Sequence, residues 1–166
     1  IAFSGNGEPT ASKQFKAVIS ILIKKIKEYN LNKIIIRLIT NGSYMANPKT
    51  QEALDLLGNF NREVWFKIDQ TNKEGVKTIN QVNLSISSVK KNLEAALNNS
   101  PTVIQTCLFK LNKELPSSES LDNYIDFIIC TIRLSMTINI IFNLTIIKTC
   151  NFSTTNNEGL ISIHPF

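Results

Sequence analysis

The chain has 166 residues, 43% of them hydrophobic and 19% charged, with a formal net charge of +5 and an isoelectric point near 9.2. This length predicts one domain, or part of one, with a buried core, and the composition excludes an intrinsically disordered protein. The lysines are scattered along the sequence. Their densest cluster, Lys24, Lys25 and Lys27, follows a helical pattern, so we expect a solvated helix face in preference to an anion or nucleic-acid patch.

Strand and helix patterns alternate along the chain. An apolar strand opens it, a helix with apolar residues at spacings of three and four follows at 12–29, and 33–40 is a β-branched run typical of strands covered on both faces. Asn47 and Pro48 predict the start of the next helix and Gly58 its end. The later predicted elements are a strand at 64–69, a helix at 86–98, a strand at 102–109, a helix from Leu121 to Ile132 and a strand at 139–147.

This alternation predicts an α/β fold with a parallel sheet of about five strands, joined by right-handed crossovers. The apolar stretch 124–147 is broken by charged residues and asparagines, so we expect no membrane span. The three cysteines, Cys107, Cys130 and Cys150, are odd in number and too far apart for a metal or redox motif. Reduced thiols in a cytoplasmic protein are therefore expected.

The loop after the first strand has the composition of a binding loop. Gly5 and Gly7 allow unusual backbone angles and close approach of a ligand, and they flank Asn6. Glu8 supplies a carboxylate, although it could also complement the dipole of the following helix. Pro9 stiffens the exit from the loop.

Polar residues also mark the ends of the later strands: Asn41 after the second, Lys67 and Asp69 on the third, and Gln105 on the fourth. Ligands of parallel α/β folds bind where these carboxyl ends converge, so the pattern predicts a polar pocket for a small amphiphilic ligand. These residues could instead have purely structural roles: Asn41 could form a left-handed turn, and Lys67 and Asp69 could form an ion pair with each other. The sequence shows no nucleophile paired with a base and no set of metal ligands.

The run Ser4-Gly5-Asn6-Gly7-Glu8-Pro9-Thr10 resembles the glycine-glycine-glutamate motif of radical SAM enzymes. Later segments follow in the order of that family's strands: Thr40-Asn41-Gly42-Ser43, Phe66-Lys67-Ile68-Asp69, Thr78-Ile79-Asn80 and Val103-Ile104-Gln105-Thr106. The resemblance implies a partial TIM-type (β/α) barrel over 1–150, with its N-terminal strand missing from this chain. Residues 151–166 are then expected to form an irregular tail.

The resemblance further implies that the chain binds S-adenosylmethionine. Gly5, Asn6, Gly7 and Glu8 would hold the methionine end. The residues implied to line the rest of the pocket are Asn41, Lys67, Asp69 and Gln105.

The three-cysteine loop CxxxCxxC of the family is absent, so the 4Fe-4S cluster that the resemblance implies has no ligands in this chain. We therefore expect a fragment of a radical SAM enzyme that is inactive alone. A complete parent would generate a 5'-deoxyadenosyl radical and abstract hydrogen from an unknown substrate. A missing N-terminal segment and a reductant protein are the partners implied.

Two other hypotheses stay open. The chain could be a cluster-free, stand-alone module that binds an adenosyl ligand or a protein partner, or an unrelated barrel or doubly wound sheet that binds a phosphorylated metabolite. An open sheet edge at 1–3 also predicts that the isolated chain associates with other chains.

Overall fold

A computed structural model describes residues 1–4, 7–72, 75, 85–111, 115–134 and 147–152. The elements are β1 (Ala2–Phe3), α1 (Phe15–Glu28), β2 (Ile36–Thr40), α2 (Pro48–Asp55), β3 (Arg62–Lys67), α3 (Ile86–Asn99), β4 (Thr102–Gln105), β5 (Cys107–Leu111), α4 (Ser118–Leu134) and β6 (Ile147–Phe152). A 3₁₀ turn, Pro9–Ala11, precedes α1. The predicted helices are confirmed to within a few residues.

The first four strands form one parallel sheet in the order β1-β2-β3-β4. Because each strand lies beside the one that precedes it in the chain, the sheet grows in a single direction. The α/β class and the parallel sheet predicted from the sequence are confirmed. Of the predicted fifth strand, 139–147, only Ile147 lies within the described residues, and it is where β6 begins.

The predicted strand at 102–109 is divided in two. Its first half, β4, pairs with β3, and its second half, β5, pairs in parallel with β6. Thr106 lies between the halves and belongs to neither strand. The chain therefore changes its pairing partner at Thr106.

A single core packs the helices against one face of the sheet. On β2 and β3 the side chains of this face are almost fully buried, as the alternating burial along both strands shows. Each of α1 to α4 contributes apolar side chains to the same cluster. The core includes Ile19 and Ile26 of α1, Leu38 of β2, Leu54 of α2, Phe66 of β3, Leu93 of α3, Ile104 of β4 and Ile128 of α4.

The opposite face of these strands, which we call the second face, is only partly covered. Its residues alternate with those of the core face, and all except Val103, which is buried outside the core cluster, keep partial exposure. The expectation that the second strand is covered on both faces is therefore wrong: Arg37 and Ile39 are half-buried. The second face comprises Arg37, Ile39, Glu63, Trp65, Lys67, Val103 and Gln105.

Candidate functional site

Three of the predicted site residues lie side by side at one edge of the sheet. Thr40, Phe66 and Ile104 occupy the same register level on β2, β3 and β4. The next residue of each strand is therefore level with the others, and Lys67 is paired in register with Gln105. The parallel sheet thus brings Asn41, Lys67 and Gln105 to a common rim, as the sequence predicts.

The glycine loop reaches this rim through Glu8. Gly5 and Asn6 lie outside the described residues, as does the segment 78–80. Gly7 has a φ of +134°, and no described atom lies within 4 Å of the position that a Cβ would occupy there. The predicted need for a glycine is confirmed at this position, since L-residues rarely adopt such a φ.

The carboxylate of Glu8 binds the protein itself. Its Oε1 accepts hydrogen bonds from the Thr40 hydroxyl at 2.7 Å, from the Thr10 amide at 3.1 Å and from the Thr10 hydroxyl. Its Oε2 accepts from the Asn41 amide at 2.8 Å. Glu8 therefore connects the loop after β1 to the end of β2. It shapes the rim through these hydrogen bonds.

Asn41 and Gly42 form a turn, which is the alternative to a ligand-binding role that the sequence also allows. The Asn41 side chain accepts hydrogen bonds from the amide and the hydroxyl of Ser43, at 2.9 and 2.6 Å. Gly42 has a φ of +79°, and an added Cβ would lie 2.0 Å from Cζ of Phe66. A side chain at this position is excluded both by the backbone angle and by the core beneath it.

Lys67 and Asp69 form the predicted ion pair, with 3.4 Å between Nζ and Oδ2. The carboxylate is almost buried, with 3% of the Asp69 side chain exposed, whereas 39% of the Lys67 side chain is exposed. Asp69 Oδ1 also accepts a hydrogen bond from the Cys107 amide at 2.9 Å. Asp69 thus joins the end of β3 to the start of β5, while the ammonium of Lys67 reaches solvent.

Tyr124 of α4 holds the same junction from the helical side, which sequence reasoning missed. Its hydroxyl donates to the Ile68 carbonyl at 3.1 Å and is hydrogen-bonded to the Thr106 hydroxyl. Burial raises the pKa of Tyr124 to about 12, the Thr106 hydrogen bond opposes this rise, and the charge of Asp69 adds to it. A tyrosine on the apolar stripe of a helix gives no signal that its hydroxyl is used.

Gln105 is the least satisfied residue of the rim. Its Oε1 is buried and has no hydrogen-bond partner within the part of the chain that the structure describes. A buried amide oxygen without a donor costs about 1–3 kcal/mol, so such atoms are rare in native proteins. A ligand that donates a hydrogen bond here would remove this cost.

A second polar cluster lies at the other end of the second face. Arg37 Nε donates to Glu63 Oε2 at 2.8 Å, and Trp65 Nε1 donates to the same oxygen at 3.1 Å. These hydrogen bonds lower the pKa of Glu63, Arg37 contributing most. The signal in the sequence was the alternation Glu63-Val64-Trp65-Phe66-Lys67, which is typical of a strand with one buried face.

Two cavities on the helical side contain none of the predicted site residues. One, of about 530 Å³, lies beside the starts of α1 and α2 and is lined by Lys13, Lys16 and Lys49 among others. The other, of about 590 Å³, is lined by residues that include Lys90, Asp126 and Cys130. The predicted polar rim is thus not part of either cavity.

Among the described residues there is no group of three or more histidine, cysteine, aspartate or glutamate side chains that could hold a metal ion. Cys130 is a free thiol. None of the described helices is both long and apolar enough to cross a membrane. No family model matches the chain, and no curated protein is significantly similar to it.

Proposed function

We propose that this chain binds S-adenosylmethionine at the rim formed by the glycine loop and the ends of β2, β3 and β4, as part of a radical SAM-like partial (β/α) barrel. The sequential strand order and the single helix-covered face are what a partial barrel requires. The observation that carries the proposal is the alignment of Lys67 with Gln105, whose buried Oε1 has no described partner.

The rim residues fit the groups of this ligand. The exposed ammonium of Lys67 can pair with the methionine carboxylate, and Gln105 Oε1 can accept a hydrogen bond from the ligand's ammonium or a ribose hydroxyl. Gly7 leaves open space beside the backbone, where a ligand can approach the loop closely. Glu8 and Asp69 act indirectly, by fixing the loop and the strand ends.

The described residues do not fit the 4Fe-4S cluster that a radical SAM enzyme needs, because such a cluster requires several thiolates close together. We therefore assign no radical step to this chain. Its proposed contribution is to bind and orient the methionine and adenosyl groups.

Isothermal titration calorimetry with S-adenosylmethionine tests the proposal. We expect saturable binding, and we expect Gln105→Met to weaken it about tenfold, which corresponds to the loss of one hydrogen bond of about 1.4 kcal/mol. Gln14→Met is the matched control, because Gln14 is exposed near the start of α1 and should leave the Kd unchanged. Absence of heat at millimolar ligand, or an unchanged Kd in Gln105→Met, would refute the proposal.

Glu8→Gln tests the indirect role of the carboxylate. The variant keeps the side-chain volume but replaces one acceptor oxygen with an amide donor, so the loop loses a hydrogen bond to Thr10, Thr40 or Asn41. We expect weaker binding together with a lower urea midpoint of unfolding. Weaker binding at an unchanged midpoint would instead show that Glu8 contacts the ligand directly.

A further inference from the structure

The Arg37–Glu63–Trp65 cluster fixes an arginine in one orientation on the second face. Nε of Arg37 is bound to Glu63, and its Cζ lies 5.5 Å from the centroid of the Trp65 ring. Trp65 is itself bound to the Glu63 oxygen that Arg37 uses. The guanidinium is thus held by an ion pair and by the indole ring, which reduces the entropy that it would lose on binding a ligand.

The terminal nitrogens of Arg37 have no hydrogen-bond partner among the described residues and can bind another acceptor. Only Nε has a hydrogen-bond partner among the described residues, and 41% of the side chain is exposed. The two terminal nitrogens of a guanidinium present parallel N–H groups that match a carboxylate. An anion can therefore bind Arg37 without displacing Glu63.

The surroundings favour a monoanion with an apolar, planar body. Glu63 neutralises Arg37 formally, so the pair offers no net positive charge to balance a second negative charge on a ligand. Ile39 and Trp65 are neighbours in register and keep partial exposure, so an apolar row lies next to the arginine along the strands. An aromatic ring attached to the carboxylate can pack on this row.

We propose that this cluster is a second binding site, whose ligand is a small aromatic monocarboxylate held by Arg37 through its carboxylate and by Ile39 and Trp65 through its ring. The site is separate from the rim, because four residues of strand, roughly 13 Å, separate Glu63 from Lys67 along β3. It does not depend on the binding of S-adenosylmethionine.

Benzoate is the probe, and Trp65 is the reporter because it is the only tryptophan of the chain. We expect a saturable change in tryptophan fluorescence when benzoate is titrated into the full chain, with a matching heat in calorimetry. Benzamide, which has the same ring without the charge, should produce neither. Arg37→Lys keeps the charge but loses the planar fork, and we expect it to raise the benzoate Kd at least tenfold.

Two control variants test whether benzoate binds at Arg37 itself. Lys24→Gln removes one exposed positive charge from α1 and should leave the benzoate Kd unchanged. Lys67→Met alters the proposed S-adenosylmethionine site and should also leave the benzoate Kd unchanged. The two proposed sites can therefore fail independently of each other. The proposal is overturned if wild type shows no saturable binding, if Arg37→Lys binds benzoate as wild type does, or if Lys67→Met weakens binding as much as Arg37→Lys.

Discussion

The two faces of the sheet use neighbouring residues of the same strands for different purposes. On β3, Phe66 is 1% exposed within the core, whereas Trp65 beside it is half-buried and held by Arg37 and Glu63. The core face depends on packing, which tolerates few changes of volume. The second face depends on hydrogen bonds and ion pairs, so we expect substitutions there to cost less stability.

Alanine at these two neighbouring positions gives the largest expected contrast. Phe66→Ala should lower the free energy of unfolding by about 3–5 kcal/mol, because it leaves a cavity in the core. Trp65→Ala should cost about 1–2 kcal/mol, because part of the ring is already exposed. Urea unfolding followed by circular dichroism measures both, and equal losses would show that the second face is packed as tightly as the core.

Gly42 sharpens the contrast, because it packs directly over Phe66. Gly42→Ala should lower the free energy of unfolding by about 2–4 kcal/mol, from overpacking and from the left-handed backbone. Gly58→Ala is the control: its Cβ would lie 3.2 Å from the Asp55 carbonyl oxygen, so we expect a smaller loss. In a double-mutant cycle with Phe66→Ala the steric part of the Gly42→Ala cost should disappear, and simple additivity would contradict the proposed clash.

Tyr124 tests whether the junction between β3 and β5 is held from the helical side. Tyr124→Phe removes the hydrogen bonds to Ile68 and Thr106, and we expect a loss of about 1–2 kcal/mol in urea unfolding. The pKa of Tyr124 is raised from 10.0 to about 12, so its stabilising effect is complete below pH 10 and is lost as the pH rises through 12. Absorbance titration should show a tyrosinate transition near pH 12 that is absent from Tyr124→Phe, and an unchanged titration curve would argue against this role.

The smallest expected effect is the acid dependence contributed by the second face. The folded-state pKa of Glu63 is lowered from 4.5, chiefly by the hydrogen bond from Arg37, so its contribution is present above pH 4.5 and is lost as the pH falls through the lower folded value. Glu63→Gln should therefore lose less stability than wild type on acidification, measured as the difference between urea midpoints at neutral and acid pH.

Glu52→Gln is the matched control for this experiment. The hydrogen bond from Lys16 also lowers the pKa of Glu52, but this ion pair lies in solvent and is screened. Its substitution should alter the acid dependence less than Glu63→Gln does. A larger effect of Glu52→Gln would mean that the second-face cluster is not the stronger interaction.

Hydrophobic periodicity was sufficient to predict the helices and the parallel sheet. The sequence predicts helix α1 from Ser12, but the helix begins at Phe15, because Ser12 ends the 3₁₀ turn of Pro9–Ala11 in an extended conformation. The common level of Asn41, Lys67 and Gln105 could also be predicted, since polar residues that end adjacent parallel strands must meet at one edge.

Which groups the polar residues bind could not be predicted in the same way. Glu8 and Asp69 have the residue types of ligand contacts, yet both bind backbone amides that are distant in sequence, at Asn41 and Cys107. The division of the fourth strand at Thr106 was missed for a related reason. It depends on which neighbour each half pairs with, and the local pattern from 102 to 109 is the same in either case.

The hydrogen bond from the Cys107 amide to Asp69 has a consequence for motion in the folded state. The Asp69 side chain accepts a hydrogen bond from the first amide of β5, and Tyr124 binds Ile68 and Thr106 beside it, so side chains hold the point where the chain passes from one sheet to the other. Amides of β4 and β3 should exchange with deuterated solvent only when the larger sheet opens. We expect the Cys107 amide to exchange faster than these, because its hydrogen bond to Asp69 opens when a single side chain moves, so its exchange rate reports on motion at this point of the chain.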